Sequence, residues 1–293
     1  MKPALLVAGH GTRDPAGVAA FTALTRRLGA TSGPDGPDVA GGFIELSGPP
    51  IRDAVSELAA RGHRELVAVP LMLSAAGHSK GDVPASLARE TARHPGLSVR
   101  YGRPLGPHPV LLGLLARRVA EVTGGLAAPH AVLVVGRGST DPDANADVCK
   151  VTRLLWEGRD YEFTETAFVS LARPGVAEGL ERCRRLGARS IVVARYFLFP
   201  GVLPDRIAEQ AAGYAAGHPG LDVRCAGVLG DCDEIAGLVA ERYREALAGD
   251  IRMNCDTCMY RTAMAGFAHR VGAPQHPHDH PHDHVHAGAA DAR

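Results

Sequence analysis

His10, Glu45 and His78 are the side chains in this sequence best suited to chemistry. Two imidazoles and a carboxylate can hold a transition metal or accept protons near neutral pH. An internal repeat singles them out. Leu5-Leu6-Val7-Ala8-Gly9-His10-Gly11-Thr12-Arg13-Asp14-Pro15 returns 127 residues later as Val132-Leu133-Val134-Val135-Gly136-Arg137-Gly138-Ser139-Thr140-Asp141-Pro142. Gly42-Phe43-Ile44-Glu45-Leu46 returns as Ala167-Phe168-Val169-Ser170-Leu171, at an offset of 125. Leu66-Val67-Ala68-Val69-Pro70-Leu71 matches Ile191-Val192-Val193-Ala194-Arg195-Tyr196 at that same offset, and His94-Pro95-Gly96-Leu97 matches His218-Pro219-Gly220-Leu221 at 124. A period this long means paired domains and not a solenoid. In the second copy His10 becomes Arg137, Glu45 becomes Ser170, and His78 becomes Leu203 or Val202, depending on where the one-residue gap falls. One copy keeps the groups that bind metal or move protons; the other keeps the scaffold.

The elements that must position these groups alternate. Residues 4–8, 39–46, 66–73 and 97–101 are apolar and strand-like, while 15–28, 83–93 and 109–122 carry helical spacing. Pro49-Pro50 open a further helix that stops at Gly62, with Pro at the start and Gly past the end. The second half repeats this order from Ala131 to about Ala248. Strand–helix alternation predicts two tandem doubly wound α/β parallel-sheet domains, at residues 1–126 and 127–250, followed by a Cys/His-rich tail at 251–293. His10, Glu45 and His78 then end or follow successive strands. Open parallel sheets bind ligands outside the carboxyl ends of their strands, near the switch in strand order, so three residues distant in sequence are expected to converge there.

Composition narrows the class. The chain has 293 residues, 45% of them hydrophobic, enough for two cores of ordinary size. Its formal net charge is zero, which argues against nucleic acid or an anionic membrane as partner and leaves self-association open. No signal peptide or run of spanning length is evident, so a cytoplasmic protein is expected. There the six cysteines are thiols or metal ligands before they are disulfides.

Histidine phosphatases also place a His-Gly pair after their first strand, with an arginine just before the histidine. Here Gly9 holds that place, and Arg13 could substitute only from the other side. The combination of His10-Gly11-Thr12-Arg13, Glu45 and Gly77-His78-Ser79-Lys80-Gly81-Asp82-Val83-Pro84 instead resembles the CbiX/SirB-type sirohydrochlorin chelatases across both halves. Thr12 stands where that family commonly has Ser. The resemblance implies a lyase that inserts a divalent metal into sirohydrochlorin, using an active N-terminal half and a degenerate C-terminal half. His10 and His78 would hold the metal and accept protons, with Glu45 as a base or a carboxylate behind them. Arg13, Lys80, Arg52 and Arg137 would clamp the carboxylates of the tetrapyrrole, or else serve as solvated surface charges. Asp82 either orients His78 or caps the following helix, and capping is the expected role.

The tail resembles that of the long CbiX form associated with cobalamin synthesis. Cys255 and Cys258, spaced as Cys-x-x-Cys, supply two soft ligands, half of an iron–sulfur cluster or a bare pair of thiols. Cys225 and Cys232 could complete such a site, or two chains could share it. His276, His278, His280, His282, His284 and His286 alternate mostly with Pro and Asp, a composition that collects transition metals without packing a core. The expected metal is Co²⁺, weakly favoured by this tail. Fe²⁺ insertion for siroheme is the alternative, and a metal chaperone or storage protein is the alternative of another class. A chaperone needs no ring-sized pocket.

Overall fold

The computed structural model describes residues 2–31, 33, 36–124, 129–251, 260–261 and 268–273. The first half runs β1 (Ala4–Gly9), α1 (Pro15–Thr31), β2 (Val39–Phe43), α2 (Ile51–Ala60), β3 (Glu65–Pro70), α3 (Val83–Arg93), β4 (Ser98–Tyr101) and α4 (Pro109–Thr123). The second runs β5 (Ala131–Gly136), α5 (Pro142–Trp156), β6 (Thr164–Phe168), α6 (Val176–Arg185), β7 (Ser190–Arg195), α7 (Val202–Ala216), β8 (Asp222–Cys225) and α8 (Asp233–Ala248). Both sheets are wholly parallel, with orders β2-β1-β3-β4 and β6-β5-β7-β8. The repeat is kept down to register: Gly9 pairs with Phe43, and Gly136 with Phe168.

The strands are apolar without interruption because both faces are covered. Leu5, Val7, Val67 and Val69 point into one core, and Leu6, Ala8, Leu66 and Ala68 into another. Two strands are shorter than their apolar runs suggest. β2 stops at Phe43 and not at Leu46, because Leu46 turns into the left-handed region at φ 64°. β3 stops at Pro70 and not at residue 73, so residues 71–73 are free to line a cleft.

The two halves exchange their last helices. α4 packs on α5 and β7 of the second half, while α8 packs on α1, β3 and β4 of the first. Each exchange is locked by an arginine at the same point of the repeat. Arg118 donates to the carbonyls of Val228 and Leu229 at 2.9 and 3.0 Å. Arg242, fully buried, donates to those of Pro104 and Leu105 at 3.2 and 2.8 Å. A single apolar core therefore runs from Leu5 and Val69 through Leu115 and Val239 to Val134 and Leu155. The boundary expected near residue 126 separates two sheets but not two cores. Periodicity shows that a helix buries one face, not which sheet receives it.

Among the described residues no helix is long and apolar enough to cross a membrane. Cys255, Cys258 and the alternating histidines lie outside the described residues.

Candidate metal centre

His10, Glu45 and His78 follow β1, β2 and β3, which are neighbours in the sheet, and the order switches between β1 and β3. The first two loops are stitched together. Ile44 and Glu45 donate their amides to the carbonyls of Gly9 and His10 at 2.9 and 3.1 Å, and Ser47 Oγ bridges the amide and carbonyl of Thr12. Gly11 allows this approach. At φ 103° it has the left-handed backbone glycine favours, and a Cβ there would stand 1.7 Å from the Glu45 carbonyl oxygen. The second half keeps the stitch, with Gly138 against Ser170, but carries no ligand there.

His78 opens a π-helical turn, His78–Asp82, closed by the Val83 amide on the His78 carbonyl. Such turns are rare and recur at functional sites. This one is braced by Tyr101, whose hydroxyl donates to the Ser79 carbonyl at 2.7 Å, and by Ser79 Oγ on Ala76.

The turn brings the rings of His10 and His78 to 4.4 Å between centroids, nearly perpendicular at 88°. One ligand atom from each of His10, Glu45 and His78 lies within 4.8 Å of the others. Hydrogen bonding assigns the tautomers. His78 Nδ1 sits 2.6 Å from Asp82 Oδ2 and donates to it, leaving the lone pair on Nε2. His10 Nδ1 faces the Gly11 carbonyl at 3.2 Å, so its Nε2 also carries a lone pair. That Nε2 is buried and makes no hydrogen bond, although Glu45 Oε1 is 3.2 Å away. A lone pair held against a carboxylate calls for a cation or a proton between them. Burial, then His78 and Arg137, lower the His10 pKa to about 4 against the opposing pull of Glu45, so the ring is neutral at pH 7.

Asp82 departs from its expected role. It immediately precedes α3, yet its side chain makes no capping hydrogen bond there, being committed to His78. A carboxylate behind an imidazole fixes the tautomer and raises ligand basicity.

The two imidazoles line a cleft of about 570 Å³ formed by both halves. Its walls are largely apolar: Phe21, Phe43 and Leu71 from the first half, and Tyr196, Phe197 and Phe199 from the second. Arg13 and Arg137 line it as exposed cations, and Val202 and Leu203, the two candidate counterparts of His78, line it as well. Two other expected clamps do not reach it. Lys80 is buried on Asp141 and Asp143, at 2.7 and 3.1 Å. Arg52 lies on the outer helix α2, half-exposed and paired with Asp53. Sequence spacing placed both near the site but could not tell which way either side chain turns. Cys225 and Cys232 do not face a common point. Cys225 packs into the core on the α6–α7 side of the second sheet and Cys232 into the core shared by the halves, and burial pushes both thiols up. Sequence reasoning missed the wall at residues 196–204, which shows only as apolar residues in the degenerate copy.

A family model described as CbiX matches residues 4–122 and 131–246. The chain is 39% identical to a sirohydrochlorin cobaltochelatase of Priestia megaterium, over 89% of this chain and 85% of that one. It is 30% identical to a sirohydrochlorin ferrochelatase of the same organism, over 71% and 77%. SirB from Bacillus subtilis, solved with Fe³⁺, superposes with a TM-score of 0.74 at 26% identity, covering 85% of this chain and 97% of that one.

Proposed function

The chain belongs to the CbiX family, and we propose that it is a sirohydrochlorin chelatase that inserts Co²⁺ in the cytoplasm. The observation that carries this reading is the pair of imidazoles in the lining of an apolar cleft, converging with Glu45 within 4.8 Å. The cleft volume of about 570 Å³ falls within the range of small-molecule pockets, and a metal store or chaperone has no use for such a space.

Insertion replaces two pyrrole protons by one divalent ion. In this reading the ion arrives on His10 Nε2, His78 Nε2 and a Glu45 oxygen, two nitrogen ligands and one oxygen ligand suited to Co²⁺ or Fe²⁺. The low proton affinity of His10 keeps its lone pair available to the metal at neutral pH. As the ion moves into the ring, the imidazoles and the carboxylate are vacated, and the same atoms are placed to receive the pyrrole protons. Metal out and proton in is one exchange at one set of lone pairs. The aromatic walls hold the macrocycle, and Arg13 and Arg137 pair with its peripheral carboxylates from opposite halves. The tail histidines gather metal for this site, and Cys255 and Cys258 are candidates for an iron–sulfur cluster that takes no part in insertion.

Fe²⁺ suits the same donors, and the ferrochelatase of P. megaterium supports that second reading; the higher identity to the cobaltochelatase favours cobalt. Purified protein is mixed anaerobically with sirohydrochlorin and either Co²⁺ or Fe²⁺, and absorbance is followed. Faster conversion with Co²⁺ is expected. No acceleration over the protein-free reaction with either metal would overturn the proposal.

A further inference from the structure

The start of α5 is more acidic than its counterpart α1. Asp143 and Asp147 stand where the first half has Ala16 and Ala20, at the offset that pairs His10 with Arg137. Conversely, Lys80 lies beside the one-residue gap of the repeat, where the second half offers Pro204 or Asp205 and no cation. These unmatched residues converge on one loop. Lys80 Nζ lies 2.7 Å from Asp141 Oδ2 and 3.1 Å from Asp143 Oδ2, with its side chain 7% exposed and each aspartate 2% exposed. Asp147 accepts a hydrogen bond from the backbone of Ala75. The second half thus grips residues 75–80, on both sides of His78. The grip is itself anchored, because Asp141 Oδ1 caps α5 by accepting from the Asp143 amide at 3.1 Å.

A buried ion cluster is a poor way to gain stability, since apolar residues of similar volume often do as well or better. What it supplies is direction. Tyr101 and the Ser79–Ala76 bonds brace the π turn from within the first half. Lys80, two residues beyond His78, ties the turn to the other sheet's helix.

We propose that the degenerate half positions the reactive histidine: Asp141, Asp143 and Asp147 hold the 75–80 loop, through Lys80 and Ala75, and so set His78 Nε2 against His10 and Glu45. Lys80 is a positioning residue. The inference rests on the reading of His10, Glu45 and His78 as the metal-holding group.

The test uses the full chain and Co²⁺ alone, followed by its visible absorption, with the signal of a His10→Ala/His78→Ala variant subtracted throughout to remove binding by the tail histidines, and with thermal unfolding in parallel. The double variant Lys80→Met/Asp143→Asn removes the ion pair without stranding a lysine, and leaves Asp141 as the cap. It should bind Co²⁺ about 10-fold more weakly, with altered band intensities, while remaining folded at the assay temperature. Lys80→Arg, which keeps the charge, should recover most of the affinity. Unchanged affinity and unchanged bands in the folded double variant would reduce the cluster to interface packing and overturn the proposal. Should the double variant not fold, Asp147→Ala at its partly exposed site serves in its place. It should weaken Co²⁺ binding several-fold, and an unchanged affinity would equally overturn the proposal. His78→Ala separates the two levels of the argument. If it binds Co²⁺ as tightly as the parent chain, the metal-site reading itself fails, whatever the anchor variants do.

Discussion

Asp82→Asn separates an orienting carboxylate from a helix cap, because asparagine caps as well as aspartate but carries no charge. Asp82 Oδ2 and His78 Nδ1 are 2.6 Å apart, with side chains 11% and 22% exposed, so water screens the contact poorly. A hydrogen bond to a charged group contributes about 1.5–3 kcal/mol against about 0.5–1.5 kcal/mol for a neutral one. Losing the difference, roughly 1–1.5 kcal/mol, weakens a Co²⁺ ligand about 10-fold. The loss approaches about 100-fold if the new amide turns its NH₂ toward Nδ1, since the proton then moves to Nε2 and covers the ligand lone pair. Metal-free thermal unfolding should fall by only about 2–5 °C, because the same hydrogen bond weakens there while cap propensity, volume and burial are conserved. The assay is Co²⁺ titration by visible absorption, then the insertion rate at saturating metal. The reasoning is refuted if Asp82→Asn binds Co²⁺ like the parent chain. It is refuted too if Asp82→Ala lowers only the unfolding temperature, which is what a cap would do.

Other expectations follow from the same geometry. His10→Ala and His78→Ala should each remove insertion while leaving the fold intact, whereas Arg137→Ala should retain turnover and raise KM; equal losses in steady-state kinetics would contradict the one-active-half reading. Acid should destabilise the metal-free protein in a defined window. The unfolded His10 imidazole binds a proton below about 6.5, while the folded one resists until about 4, so this contribution is complete above the upper value and lost on the way to the lower. It amounts to about 3 kcal/mol, and denaturation curves for His10→Ala should flatten in that window; parallel curves would refute the assignment. Arg242→Met should cost about 2–5 kcal/mol by stranding the Pro104 and Leu105 carbonyls and leaving Glu245 without its 2.9 Å partner. Calorimetry should show one transition moved down by roughly 5–15 °C, because the halves share a core; two separated transitions would contradict the exchange of helices.

Local order and the position of the site were readable because both rest on short-range signals. Apolar runs broken by Gly and Pro give strands and turns, and the strand-end rule then places His10, Glu45 and His78 together. The directions of individual side chains were not readable. Lys80 and Arg52 look alike as basic residues near the site, yet one is buried between the halves and the other lies on an outer helix. Asp82 shows the same limit. Its place before α3 suggests a cap, and only the π turn sets its carboxylate under His78 Nδ1. The exchange of α4 and α8 was equally hidden, since Arg118 and Arg242 are ordinary helical arginines until their carbonyl partners are known.

Comparing the copies for losses singles out the candidate ligands; comparing them for gains bears on what the second copy is for. Arg137, Ser170 and Leu203 or Val202 stand in place of His10, Glu45 and His78, so the second half lacks that donor set. Its own additions, Asp143 and Asp147, face the loop of His78 and not an abandoned site of their own. The wall at 196–204 closes the cleft from the same side. A half relieved of chemistry is free to change wherever it touches the working half, provided its sheet and its backbone stitch survive. Gly138 against Ser170 shows that the stitch did survive. With α8 packed on the first sheet and α4 on the second, deleting the degenerate half would strip a face from the very sheet that carries the ligands. The duplication is therefore retained by packing as well as by the site: one half supplies the lone pairs, and the other fixes where they point.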